Sequence, residues 1–271
     1  MVAVRKGDVL AAKRPALALG PIARSVKLLQ YLGEHGRTTI KDASAALSLA
    51  PSTVHRLFDL LGKENIVEHD QVERDYRIGP EFFRLAAKVF ERYDVRMLAM
   101  PLLHEIVEAC DETCMLGLYL PNVGKMTFAA KIDSSRALRY QVPLNTQISV
   151  FWGASGRSII AFLPKEHVDR IYAQEGAAPA SGEAVPSRRK LDKELAEIRK
   201  NGVAFSRGQK IPGAAGIGAP VFGASGAVIG SLAATVPAAD LNTKKEKQIR
   251  SLVKTKSAEL SLRLGAPPPS A

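Results

Sequence analysis

Three groups of residues in this 271-residue chain have types and spacing suited to chemistry. In Ser52-Thr53-Val54-His55-Arg56, hydroxyls, an imidazole and a guanidinium crowd into five positions behind Pro51. Donors of that kind at the start of a helix suit hydrogen bonding to base edges and phosphates. Gly153-Ala154-Ser155-Gly156-Arg157 sets a serine among small residues and superficially fits a nucleophile. Cys110 and Cys114 stand four apart, while His35, His55, His69, His104 and His167 are scattered. No histidine pair has metal-ligand spacing near a carboxylate or thiol, and two cysteines make no disulfide framework. The cysteines read as small buried apolar side chains, and neither a metal nor a cofactor is expected.

Spacing separates the remaining readings. A nucleophile elbow needs Gly-x-Ser-x-Gly between a strand and a helix, and Arg157 stands where the last glycine belongs. The one histidine downstream is His167, on the next expected helix, so a general base would have to come from His104 or a carboxylate. A serine hydrolase is therefore the weaker alternative, and no catalytic residue is assigned.

The first donor group needs a frame to present it. Ile22, Val26, Leu29 and Leu32 follow helical spacing up to Gly33, and Thr38 or Thr39 caps a short second helix with Ile40, Ala43 and Leu47 inward. After a tight turn, Pro51 opens a third helix whose stripe Val54, Leu57, Phe58 and Leu61 faces the core. That stripe turns Ser52, Thr53, His55, Arg56 and Asp59 outward, although His55 could instead fold back on its own domain. Ile66–His69 and Tyr76–Gly79 read as two strands around a charged turn that carries Arg74, with Arg77 beside it. Three helices and a hairpin make a winged helix-turn-helix over 21–80, behind a basic arm over 1–20.

From Glu81 to Leu98 the pattern is one helix with two apolar faces, Phe82/Leu85/Val89 and Phe83/Ala87/Phe90. One face can cover the DNA-binding unit while the other meets a second chain. Over 99–264 the reading is a helix at Met100–Ala109, strands at Thr113–Leu120, Lys125–Ile132, Ala137–Val142, Val203–Arg207, Gly216–Phe222 and Val228–Val236, and helices at Gly153–Leu163, Lys165–Gln174, Ser187–Asn201 and Thr243–Leu264. The fold class is α+β, with a mostly antiparallel sheet flanked by helices. Residues 265–271, with Pro267-Pro268-Pro269, are expected to be a disordered tail.

Composition sets the outer bounds. A 46% hydrophobic fraction supports two domain cores, and no apolar run spans a bilayer, so a cytoplasmic protein without a membrane partner is expected. The net charge of +11 favours an anionic partner. Residues 1–96 hold 16 basic and 12 acidic side chains, a net of +4 against +7 for the rest, so the excess does not mark the DNA-binding segment. The basic clusters Arg188-Arg189-Lys190-Lys193 and Lys244-Lys245-Lys247 read as solvated helix ends.

The order of these segments resembles the IclR family of bacterial transcriptional regulators over residues 21–264. Ser52-Thr53-Val54-His55-Arg56-Leu57, Tyr76-Arg77-Ile78-Gly79-Pro80, Gly153-Ala154-Ser155-Gly156-Arg157, Gly202-Val203-Ala204-Phe205, Pro212-Gly213 and Gly218-Ala219-Pro220-Val221-Phe222 carry the resemblance. It implies a GAF-like effector domain, homodimers that pair into homotetramers, a palindromic double-stranded operator and a small organic acid effector, with repression the commoner mode. It implies no enzyme activity. Ser52, Thr53, His55 and Arg56 match the recognition helix, with Arg24, Arg74 and Arg77 as further DNA contacts. Ala154 and Ser155 match the helix start that holds a carboxylate, where free N–H groups favour an anion. Ser206, Gly216, Ala233 and Thr235 match other pocket positions. Because Gly216 and Ala233 offer no hydrogen-bonding side chain, and Trp152 adds apolar surface, an aromatic or otherwise larger carboxylate suits the pocket better than a glyoxylate-sized acid. Ordinary core packing is the competing reading of Trp152.

Overall fold

The computed structural model describes residues 20–92, 94–136, 140 and 142–267. The arm expected over 1–20 lies, apart from Gly20, outside the described residues, as do 268–271 of the tail and most of the strand expected at Ala137–Val142. The chain divides into two compact units, 1–92 and 93–271.

In the first unit α1 (Pro21–His35), α2 (Ile40–Leu47) and α3 (Pro51–Lys63) pack on a small sheet of β1 (Arg37–Thr38), β2 (Val67–Asp70) and β3 (Asp75–Ile78). β3 is the centre of that sheet and pairs antiparallel with both neighbours. Leu28, Leu32, Ala43, Val54, Leu57, Phe58 and Val67 form its core, and the Phe58 and Tyr76 rings stack at 3.9 Å. Thr39 is the α2 cap, its Oγ1 accepting from Asp42 N at 3.2 Å. Ser48, at φ 53°, makes the turn, and Pro51 occupies the first position of α3. On α1 the apolar row is only partly inward: Ile22 is 83% and Val26 48% exposed, and Leu28 is buried. Leu28 and Leu32 are four apart and share a face, with Leu29 partly buried beside them.

α4 (Pro80–Arg92) does not continue to Leu98 as expected. Asp94 adopts an extended conformation and accepts from Arg96 N at 2.9 Å, so it caps a new helix, α5 (Val95–Cys110), and interrupts the old one. On α4 Phe82, Phe83 and Leu85 are exposed. The side chains of Val89 and Phe90, expected to complete its two faces, lie outside the description.

The second unit is one six-stranded antiparallel sheet in the order β6-β5-β4-β9-β8-β7. Its strands are β4 (Thr113–Leu120), β5 (Lys125–Ile132), β6 (Ile148–Ser149), β7 (Ala204–Arg207), β8 (Ala214–Phe222) and β9 (Val228–Pro237). Strand alternation sends Leu116, Ile217, Ala219, Leu232 and Ala234 to one face, where α5 and α9 (Thr243–Arg263) cover them. Met115, Met126, Phe128 and Ala233 go to the other face, toward α6 (Gly153–Ile160), α7 (Lys165–Gln174) and α8 (Arg188–Asn201). β6 was not expected from the sequence. The two cysteines sit as read, Cys114 buried on β4 and Cys110 half-buried at the end of α5.

α6 decides where a cleft can form. All eight of its residues are buried, and it lies directly across β7, β8 and β9. Glycine permits that approach, since a Cβ on Gly218 would stand 2.9 Å from Ala154 O, and Gly156 lets the chain before α6 fold against it, since its Cβ would stand 1.8 Å from Val150 O.

Candidate functional sites

On the first unit, the α3 core stripe fixes what remains outside. Ser52, His55, Arg56 and Asp59 are exposed and Thr53 is half-buried. Among the described residues no carboxylate pairs with Arg56, whereas Asp59 pairs with Lys63 one turn on, at 3.3 Å. His55 lines a shallow groove with Phe58, Asp59, Lys63, Val67, His69 and Tyr76, between α3 and the hairpin.

The hairpin turn is built by Asp70, whose Oδ1 accepts from Val72 N at 3.0 Å and Glu73 N at 3.2 Å. Those two N–H bonds hold its carboxyl below the usual range. Arg74, at φ 54°, stands exposed at the tip. Arg77 differs from Arg74 in being already engaged: it faces Glu68 across the strands, and its Nε donates to Glu68 Oε2 at 3.0 Å. Arg24 is half-buried on α1 with its Nε enclosed and unbonded.

On the second unit the sheet and the start of α6 frame a cleft. Its empty volume is about 500 Å³ including the open mouth. Ala154, Ser155, Ser206, Gly216, Ala233 and Thr235 all line it, so six of the sequence-derived positions converge. Met115, Phe128, Val142 and Ile211 give it apolar walls. Trp152 is the exception. It is fully buried, its Nε1 donates to Gly176 O at 2.9 Å, and its ring packs edge-on to Phe151 at 5.1 Å, so it belongs to the core. The guanidinium of Arg157 lies 4.1 Å over Phe151 and 5.5 Å from the Trp152 ring centre, and its Nε is 3.5 Å from Glu194.

Two further features change the chemistry of the cleft. Two of the first N–H groups of α6 already have partners: Ala154 N donates to Ser206 Oγ at 2.9 Å and Gly153 N to Gln209 Oε1 at 3.1 Å. Lys210 also lines the cleft, its stem lying across Gly153 and its Nζ donating to Ser149 O at 2.7 Å. Burial pulls its pKa down to about 8, against an opposing pull from Glu175. Neither Gln209 nor Lys210 was read from the sequence, because Arg207-Gly208-Gln209-Lys210 has the composition of an exposed turn.

A three-helix unit with a two-stranded wing, followed by a sheet unit that bears a cleft, has the architecture of a helix-turn-helix transcriptional regulator. The chain belongs to the IclR family: residues 87–262 match the description "Bacterial transcriptional regulator IclR C-terminal", and residues 8–71 match "IclR helix-turn-helix domain". Curated relatives are transcriptional regulators, not enzymes. BhcR of Paracoccus denitrificans is 23% identical over 238 residues, which cover 88% of this chain and 85% of BhcR. Among solved structures, an IclR transcriptional regulator from a Silicibacter species superposes with TM-score 0.76 at 26% identity, covering 93% of this chain and 98% of its own. An IclR homolog complexed with 4-hydroxybenzoate, from Microbacterium hydrocarbonoxydans, superposes with TM-score 0.57 at 20% identity, covering 90% and 99%. Among the described residues no helix is long and apolar enough to cross a membrane.

Proposed function

We propose that this regulator is a ligand-responsive repressor. It binds a palindromic operator as a dimer or a pair of dimers, and an organic acid of aromatic or similar size modulates it from the cleft of the second unit. The observation that carries the reading is the pairing of two sites in one chain: a free donor face on α3 beside a wing, and an apolar-walled cleft with polar groups gathered at the α6 end. Ser52, Thr53, His55 and Arg56 read bases, while Arg74 at the wing tip touches the phosphate backbone. Arg77 must exchange Glu68 for a phosphate to contribute, and Arg24 acts from α1. Repression agrees with the relatives named repressors, AllR of Salmonella typhimurium and IclR of Escherichia coli.

An aromatic acid suits the cleft because Met115, Phe128, Val142 and Ile211 supply apolar surface and Gly216 supplies no donor. The same fold holds 4-hydroxybenzoate in the Microbacterium protein. A thermal-shift screen of the full chain against aromatic and aliphatic carboxylates tests the reading, since a ligand that binds only the folded state raises the melting temperature. A stabilising acid whose effect is lost in Thr235→Val supports the cleft as sensor. Silence across the panel would point to a non-carboxylate effector or to a second domain with an assembly role only.

A further inference from the structure

The cleft contains one cation that the family resemblance did not supply. Lys210 reaches it from the turn between β7 and β8, and its aliphatic stem crosses the start of α6, where a Cβ on Gly153 would stand 3.1 Å from Lys210 Cδ. The residue is half-buried and lines the cleft, and its ammonium is desolvated. An ammonium has three donors. One is taken by Ser149 O at 2.7 Å, and the thioether of Met126 at 3.8 Å is only a weak acceptor. Among the described residues no carboxylate forms an ion pair with Lys210. Glu175, the counter-charge that acts on it, is bound instead by Ser149 Oγ at 2.7 Å. A buried cation so placed has donor capacity left for an anion.

The alternative anchor is the start of α6, where two of the N–H groups are already engaged. Ser206 Oγ and Gln209 Oε1 accept from the N–H groups of Ala154 and Gly153, so an acid using those groups must first displace both side chains. Lys210 requires no such displacement.

From this we infer that Lys210 is the residue that anchors the anionic end of the effector, with the apolar body lying toward Met115, Phe128 and Val142. The inference rests on the reading that this cleft takes an organic acid, and it names the residue that makes the cleft select acids over neutral isosteres. Lys210 is a binding and specificity residue, with no part in DNA contact.

The test is calorimetric titration of the full-length protein with benzoate, 4-hydroxybenzoate, phenylacetate and hexanoate, each beside its amide. The variants are Lys210→Met and Lys210→Arg, with circular dichroism and melting curves of the unliganded proteins as the folding check. The wild type is expected to bind at least one acid about tenfold or more tightly than its amide, a preference worth about 1.4 kcal/mol. Lys210→Met is expected to bind acid and amide equally, and Lys210→Arg to restore part of the preference. A folded Lys210→Met that keeps the preference overturns the inference and returns the anion to the start of α6, leaving the sensor reading intact. If Lys210→Met does not fold, Lys210→Arg decides through pH: its preference must persist at pH 9.5 where that of the wild type declines, and a parallel decline in both overturns the inference. A wild type that binds none of the four acids overturns the acid-sensor reading and the Lys210 assignment together.

Discussion

Arg56 is exposed in the second turn of α3, and no carboxylate pairs with it among the described residues, so truncating it removes donors without disturbing a core contact. Arg56→Ala is expected to weaken operator binding by about 1 to 3 kcal/mol and to relax preference at one base position, in a titration at matched salt. Unchanged affinity would remove Arg56 from the interface. Lys210 is the opposite case, a charge held inside. Its pKa of about 8 lies below the ordinary lysine value of 10.5, so the folded state binds fewer protons than the unfolded chain between those two values. Stability therefore rises as pH climbs through that window, and the penalty of the buried cation is complete below pH 8. Lys210→Met is expected to melt several degrees above the wild type at pH 7 and to lose most of that advantage by pH 10. A gap that does not change with pH would mean the ammonium is solvated.

Among the elements, α3 and α6 were placed by different physics. α3 could be read from sequence because Pro51 starts it, Val54, Leu57 and Phe58 stripe it, and its polar face is what remains. α6 has no stripe, being buried on every side, and its small residues record how near the sheet it lies. Gly156→Ala would drive a Cβ to 1.8 Å from Val150 O. A clash with backbone has no side chain to absorb it, so a loss of about 3 kcal/mol or more is expected in denaturant unfolding of the full chain. A loss under about 0.5 kcal/mol would mean that the start of α6 shifts freely. The end of α4 shows the limit of periodicity: apolar spacing runs on past Tyr93, and only the extended conformation at Asp94 reveals that one helix stops and another begins.

The whole molecule has apolar surface that one chain leaves uncovered. Phe83 is 65% exposed on one face of α4, and Phe82 and Leu85 are exposed on the other. Such exposed side chains, on a regulator proposed to read a two-fold site, suit self-association. Phe83→Glu is expected to raise the dimer dissociation constant about tenfold or more, a cost of about 1.4 kcal/mol, and to make DNA binding depend more steeply on protein concentration. Sedimentation velocity checks this, and an unchanged dimer would move the interface elsewhere. Paired half-sites are then expected one helical turn, or a multiple of it, apart in a footprint.

Hydrophobic period, caps and turn residues were enough to read the winged helix-turn-helix and the positions of most strands of the second unit, because each depends on neighbours within a few positions along the chain, while the family was read from resemblance. The same local signals set Ile22 and Val26 in one helical row with Leu29 and Leu32, and left Trp152 between the cleft and the core. Burial is a property of what packs from elsewhere, and here Leu28 took the inner face of α1 while Gly176 O engaged the indole of Trp152. The cleft lining from Ala154, Ser206, Gly216 and Thr235 followed from resemblance, yet Lys210 could not. Its position depends on β7, β8 and α6 meeting, which carries the ammonium of a turn lysine to Ser149, 61 residues away in sequence.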